Sequence, residues 1–309
     1  MNLIPRRNLT QRLSPSLAGI PFHREARPGD DQQFALQWLG TAGFRVQFQG
    51  KHLWLDPHLS RHALSELLFS RISPVKERIL AHVDAADGVV IGHTHFDHAI
   101  DAPVLAQHFG AQVYGAEDTL NYCRGNGVPE AQLHLLAGDR ATHHLGPFTI
   151  GARHSVHSPF ALGQVPLSGN IARPFAVPAH ASQWRVGQVL IPHVEAEVAP
   201  GRPLRIAHVG SASLLEAELH GLQADVVLAC TIGRHATPNF THRLLDALAP
   251  KVVVPCHWDQ FWRPIDAPVR QIPSNDLTGF LQEVAAHPSA PRVCVLPMLG
   301  WTTLADLLN

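Results

Sequence analysis

Asp87-Gly-Val-Val-Ile-Gly-His-Thr-His-Phe-Asp-His-Ala-Ile-Asp101 decides how this chain is read. Val89-Val90-Ile91 is an apolar run short enough to be one buried strand, and it stops at Gly92. His93, His95, Asp97 and His98 follow within six residues, after which Ala99 to Phe109 carries the spacing of a helix. Imidazole and carboxylate are ligands suited to zinc and similar divalent ions. Helical spacing cannot bring all four groups to one point, whereas a loop at the carboxyl end of a strand can. With 22 histidines in the chain, a histidine-rich surface loop is the competing reading. Four ligand-type side chains crowded at a strand-to-helix junction argue for a metal site instead.

His93-Thr94-His95-Phe96-Asp97-His98 resembles the His-x-His-x-Asp-His signature of the metallo-β-lactamase superfamily. Leu39-Gly40-Thr41-Ala42-Gly43-Phe44 and Leu55-Asp56-Pro57 are similar to the opening hairpin of that superfamily. There an aspartate ahead of proline buttresses the metal-binding loop. The resemblance therefore implies that Asp56 accepts the distal N–H of a ligand imidazole; a plain turn aspartate is the alternative. Lys251-Val-Val-Val-Pro-Cys-His257-Trp258-Asp259 reads as a buried strand with a histidine at its loop mouth. It resembles the late strand of the ascorbate-6-phosphate lactonase-like and phospholipase-D-like branches, whose final ligand precedes an aromatic residue. This implies His257 as a metal ligand, with Asp259 orienting it. Two residues compete to be the third histidine, His154 and His157, and Ser155-Val156-His157-Ser158-Pro159 looks more like the family's loop.

The family's bridging aspartate is missing. Where relatives show Gly-Asp-Thr/Ser after a strand, this chain reads His208-Val209-Gly210-Ser211. Two divalent ions bring +4, and Asp97 with a bridging hydroxide returns −2, leaving +2 where a second carboxylate would leave +1. The expectation is one ion held firmly by His93, His95 and His157, and another held weakly by Asp97, His98 and His257. His208 is a candidate to enter the shell in compensation. Zinc is the expected ion, with manganese or iron as alternatives.

At 309 residues, with 45% hydrophobic and 16% charged, the chain can bury a large core. Its net charge, 24 − 25 = −1, gives no bulk attraction to nucleic acid or anionic membrane. Cys123, Cys230, Cys256 and Cys294 are far apart, which suits free thiols in a reducing compartment. Pro15 and Pro21 break the weak apolar stretch behind Arg6, Arg7 and Arg12, and no uncharged run reaches transmembrane length. A soluble cytoplasmic protein without stable membrane insertion is expected. Residues 1–32 read as an irregular arm and 33–309 as one domain. Strands cluster and then alternate with helices, twice over. Periodicity alone gives α/β; the resemblance implies the four-layer αββα sandwich of the metallo-β-lactamase fold.

The function implied is a metal-dependent hydrolase acting on a small-molecule ester, lactone or phosphate-bearing substrate. A water acidified by the ion is the nucleophile, and Asp97 orients it and takes its proton. A phosphodiesterase of the phospholipase-D-like type is the runner-up. Ser211 motivates a third possibility, a non-catalytic metal-binding scaffold. No Gly-x-Ser-x-Gly elbow surrounds Ser155, Ser158 or Ser211, which argues against a serine nucleophile. Phe69, Phe160, Leu162 and Phe175 are candidates for an apolar pocket wall, and no basic cluster interleaved with aromatics points to nucleic acid.

Overall fold

The computed structural model describes residues 14–160, 163–273 and 275–308. β1 (Ala35–Gly40), β2 (Gly43–Phe48) and β3 (Lys51–Leu55) form an antiparallel meander. β5 (Gly88–Val90), β6 (Gln112–Gly115) and β7 (Leu133–Leu135) continue it in parallel. With β16 (Trp301–Thr303) against β1, the order is β16-β1-β2-β3-β5-β6-β7. The second half repeats the plan. β8 (Asp139–Leu145), β9 (Phe148–Ser155), β11 (Val189–Ala199) and β12 (Arg202–Val209) are antiparallel. β13 (Val226–Cys230), β14 (Val252–Cys256) and β15 (Arg292–Val293) extend them in parallel, again giving seven strands. A two-stranded sheet joins β4 (Arg71–Ile72) to β10 (Ala179–His180).

Alternation along the strands decides the layers. Leu53, Leu55, Val90 and Tyr114 pack with Ile150, Leu190, Val194 and Ile206 of the other sheet in a shared core. Trp54, Val89, Ile91 and Val113 point the opposite way, onto Leu105 and Ala106 of α4 (Ala102–Phe109) and Tyr122 and Cys123 of α5 (Glu117–Gly125). On the far side, α7 (Phe240–Leu248) contributes Leu244, Leu245 and Leu248 to the core, and α8 (Leu277–Ala286) contributes Phe280 and Val284. This is the αββα order. Trp38 stacks on Trp258 at 4.8 Å, tying the first strand to the loop after β14; deleting a ring of this size from a core costs about 3–5 kcal/mol.

Several elements differ from expectation. The helix expected from Ala99 is two: α3 (Phe96–Ala99) starts inside the histidine motif, and α4 starts at Ala102 after a break at Ile100 and Asp101. Asp101 occupies the N-cap position of α4, but its carboxylate accepts from the amides of Leu59 and Ser60 and from the Ser60 hydroxyl. In the insertion after β3, α1 (Leu64–Phe69) precedes α2 (Lys76–Leu80), and Leu64, Leu68 and Phe69 on α1 are exposed, at 48%, 62% and 79%. Among the described residues no layer covers this face of α1, while Leu67 on the other side packs on the core. β11 is long, from Val189 to Ala199, whereas α6 (Glu216–Leu219) is a single turn. β8 was not foreseen: Asp-Arg-Ala-Thr-His-His-Leu is a solvated edge strand without an apolar face. Of the N-terminal arm, residues 14–32 are irregular, with Phe22 bridging to Val295, while residues 1–13 lie outside the described residues.

Candidate metal centre

The metal-ligand candidates sit at the carboxyl ends of β5, β9 and β14, where loops from both sheets meet. β5 delivers His93 and His95, and the single turn of α3 turns Asp97 and His98 to the same side. The loop after β9 brings His157, and β14 delivers His257. Two trios result: the ligand atoms of His93, His95 and His157 lie within 4.8 Å of one another, as do those of Asp97, His98 and His257. The trios adjoin, with the rings of His93 and His98 3.8 Å apart between centroids.

The donors fit a divalent ion. Zinc–nitrogen bonds of about 2.1 Å in a tetrahedron place neighbouring ligand atoms about 3.4 Å apart. His93 Nε2 and His95 Nδ1 are 3.1 Å apart, and His257 Nε2 and Asp97 Oδ2 are 3.3 Å apart. His98 Nε2 is 4.0 Å from Asp97 Oδ2. Outward hydrogen bonds select the inward nitrogen. His95 donates from Nε2 to the Pro166 carbonyl (3.0 Å), and His157 donates from Nδ1 to the Ser158 carbonyl (2.7 Å). His98 donates from Nδ1 to Asp56 Oδ2 (2.6 Å). The remaining nitrogen of each ring is left facing its trio as a lone pair.

Burial and crowding by the other imidazoles push His95 down to about 3, against a partial upward pull from Asp97. Burial likewise takes His157 down to about 4 and holds His93 well below the ordinary histidine range. These rings are therefore neutral near pH 7, as ligands must be. Burial alone would raise Asp97, but His98 and the His257 hydrogen bond outweigh it and hold the carboxyl well below its usual range. Burial would lower His98 too, yet Asp56 and Asp97 win and raise it.

Asp56 shares a further grouping with His93 and His98. Its carboxylate is already committed: Oδ1 accepts the Gly92 amide (2.7 Å) and Oδ2 accepts His98. That makes it a buttress for the loop. His208 donates from Nε2 to the Ala42 carbonyl, and its Nδ1 lies 3.7 Å from Asp56 Oδ2, behind the trios and outside both. His154 is apart from the cluster, with its Nδ1 2.7 Å from Gln188 Nε2. Ser211 Oγ accepts the Ser158 amide at 3.0 Å, so it holds the His157 loop. Asp259 differs from expectation: it does not reach the His257 ring, whose Nδ1 has no hydrogen-bond partner among the described residues. Instead Asp259 accepts the Thr41 amide (2.7 Å) and pairs with the buried Arg61 (2.8 Å). Thr41 in turn accepts the backbone N–H of His257, so Asp259 acts on that ligand through the opening turn.

Arg61 and Pro166 escaped the sequence reading, since neither a lone arginine in a polar insertion nor a backbone carbonyl carries a motif. Both trios border one cavity, into which Phe96, Phe160 and Phe261 also project. Phe69 lies on the exposed face of α1, and Phe175 packs on Tyr122 and Trp184, so neither lines it; Leu162 lies outside the described residues.

A family described as a β-lactamase superfamily domain matches residues 35–257. A UPF0173 metal-dependent hydrolase from Polynucleobacter asymbioticus is 24% identical over 277 residues, 87% of this chain and 85% of the relative. One from Myxococcus xanthus is 29% identical over 271 residues, 86% of this chain and 81% of the relative. Among solved structures, Igni18, a metallo hydrolase from Ignicoccus hospitalis, superposes with a TM-score of 0.53 at 19% identity, covering 88% of this chain and 98% of its own. The metallo-β-lactamase fold protein YhfI from Bacillus subtilis gives 0.52 at 14% identity, covering 88% and 99%. The structural likeness establishes the shared fold, and the family match spans both halves of the site, from the opening hairpin to His257: this chain belongs to the β-lactamase superfamily.

Proposed function

We infer that this chain, a metal-dependent hydrolase like the curated relatives it matches, uses the two adjoining trios to cleave a small-molecule substrate. The observation that carries the reading is the convergence of three separate loops on two donor sets that open on one cavity. Zinc is the favoured ion, with manganese or iron as alternatives, and the donor chemistry suits any of them. A divalent ion, held by these histidines and Asp97, would acidify a water and polarise an acceptor oxygen. Asp97, kept ionised in the lining of the cavity, orients the attacking water and takes its proton. Asp56 holds His98 in the correct tautomer, and the Pro166 and Ser158 carbonyls do the same for His95 and His157.

Ser211 makes the trios unequal. A hydroxyl that already accepts the Ser158 amide is a poor substitute for a charged bridging ligand. We expect His93, His95 and His157 to hold one ion firmly, and Asp97, His98 and His257 to hold a second weakly. The resemblance to the lactonase-like branch supports an ester, lactone or phosphate-bearing small molecule, and a phosphodiester is the second reading. Buried, free Cys123, Cys230, Cys256 and Cys294 suit a cytoplasmic setting. Among the described residues no helix is long and apolar enough to cross a membrane.

Elemental analysis after dialysis tests the centre: one retained equivalent per chain is expected, and the Ser211→Asp variant should retain a second. Failure to take up any divalent ion would remove the hydrolase mechanism; two firmly held equivalents in the parent protein would remove the asymmetry.

A further inference from the structure

The cavity beside the trios measures about 220 Å³. That is below the roughly 300–1,000 Å³ usual for small-molecule sites. Beyond the metal-ligand candidates its walls are mostly carbon, with Phe96, Phe160, Leu167, Ile232 and Phe261 beside Cys230 and two serines. Among the described residues no lysine or arginine lines it. Ala161 and Leu162, which lie outside the described residues, carry no charge by sequence either. The two hydroxyls present, Ser158 and Ser211, are 3.4 Å apart, and Ser211 already accepts the Ser158 amide. Of the arginines near this end of the fold, Arg61 is committed to Asp259, and Arg234 to Asp276 and Glu283.

We propose, building on the hydrolase reading above, that the substrate is a compact, uncharged, largely apolar ester or lactone, with Phe160, Ile232 and Phe261 setting that preference. In the reaction a water oxygen bonds to the acyl carbon, and the bond from that carbon to the alcohol oxygen breaks. The proton taken by Asp97 ends on the departing oxygen, giving an acid and an alcohol. A phosphodiester fits poorly. It is anionic, and for a phosphoryl oxygen not on an ion the described lining offers the Ser158 and Ser211 hydroxyls and otherwise carbon, with no cation to balance the charge. An ester carrying a carboxylate in its acyl chain meets the same wall. A neutral ester offers one carbonyl oxygen to the polar floor and apolar atoms to the rest, which is how such pockets divide the work.

The test compares the metal-loaded protein on 4-nitrophenyl butyrate, on the 4-nitrophenyl ester of succinate, on γ-butyrolactone and on bis(4-nitrophenyl) phosphate. Neutral substrates are expected to exceed both anionic ones in kcat/KM by at least about 100-fold, as buried groups without partners reject a mismatched ligand. Phe160→Lys, at a position 56% exposed and so tolerant of charge, should narrow the butyrate-to-succinate ratio about tenfold. Calorimetry with butyramide and succinamate supplies a readout independent of turnover: butyramide binds and succinamate does not. Equal rates on neutral and anionic esters, or faster phosphodiester cleavage, overturn the substrate class while leaving the hydrolase reading intact. No turnover with selective butyramide binding overturns the hydrolase reading and keeps the pocket preference. No turnover with neither amide bound overturns both.

Discussion

Asp56→Asn isolates the residue on which the second trio depends. In the parent protein Asp56 Oδ1 accepts the Gly92 amide at 2.7 Å and Oδ2 accepts His98 Nδ1–H at 2.6 Å. Asparagine keeps the first bond through its carbonyl oxygen, so the loop after β5 stays anchored. Its amide nitrogen then points two N–H donors at His98 Nδ1. The imidazole relieves that clash by moving its proton to Nε2, the nitrogen that faces Asp97 and the second trio. A ligand protonated on its coordinating atom does not bind. Loss of such an outer partner typically costs 10–100-fold in metal affinity, which is about 1.4–2.7 kcal/mol. His95 and His157 take their orientation from the Pro166 and Ser158 carbonyls, so the first trio should lose less than about threefold. Zinc titration against a competing chelator reads both affinities, and long-range nitrogen–proton NMR reads the His98 tautomer. An unchanged second affinity with the proton still on Nδ1 would refute the reasoning. So would equal weakening at both trios.

Asp101 makes stability depend on pH. Burial pushes its carboxyl up to about 6, outweighing the three hydrogen bonds it accepts. The folded state therefore keeps a proton that the unfolded chain releases near its ordinary value of 3.8. Stability from this group is present below that value and is lost as pH rises towards 6, a change of about 3 kcal/mol. Denaturant unfolding should show the parent falling relative to Asp101→Asn between pH 4 and 7; a constant difference, or a rise, contradicts this. Arg61→Met strands the Asp259 carboxylate at a position where both partners are at most 2% exposed. Breaking a buried pair from one side costs about 3–5 kcal/mol, and a urea midpoint shift equivalent to under 1 kcal/mol would show that the pair is not what holds the turn.

Much of the site was legible because its chemistry is local in sequence. His93 to His98 names a strand end, a turn and four donors in one motif, and His257 follows an unbroken apolar strand. Asp56 was readable through the proline behind it. What could not be read is carried by backbone or by distance. Pro166 acts through a carbonyl that any residue possesses. Asp259 and Arg61 lie 198 positions apart in the chain and meet only because the late loop folds under the opening turn. The apolar residues of α1 have helical spacing, and spacing reports a face without saying whether anything covers it. β8 lacks the alternation that reveals a half-buried strand because it stands at a solvated sheet edge.

The placement of the donors is inherited from backbone conformations that ordinary side chains avoid. Thr41, Asp56, Arg61 and His257 all adopt positive φ, at +52°, +41°, +39° and +56°. Left-handed backbone at non-glycine residues costs on the order of 1–3 kcal/mol each and persists only where its surroundings over-determine it. Here they do. Asp56 donates its amide to Val90, Gly92 returns its own to Asp56, and His257 donates to Thr41, whose amide goes to Asp259. Gly40 completes the turn, since a Cβ there would run into the Arg61 guanidinium. Each strained residue is thus gripped by a loop that carries, or directly supports, a metal-ligand candidate. The same bonds that hold the strain hold the imidazoles at ligand spacing before any ion arrives, so the cost of ordering the site is met in folding and not in binding.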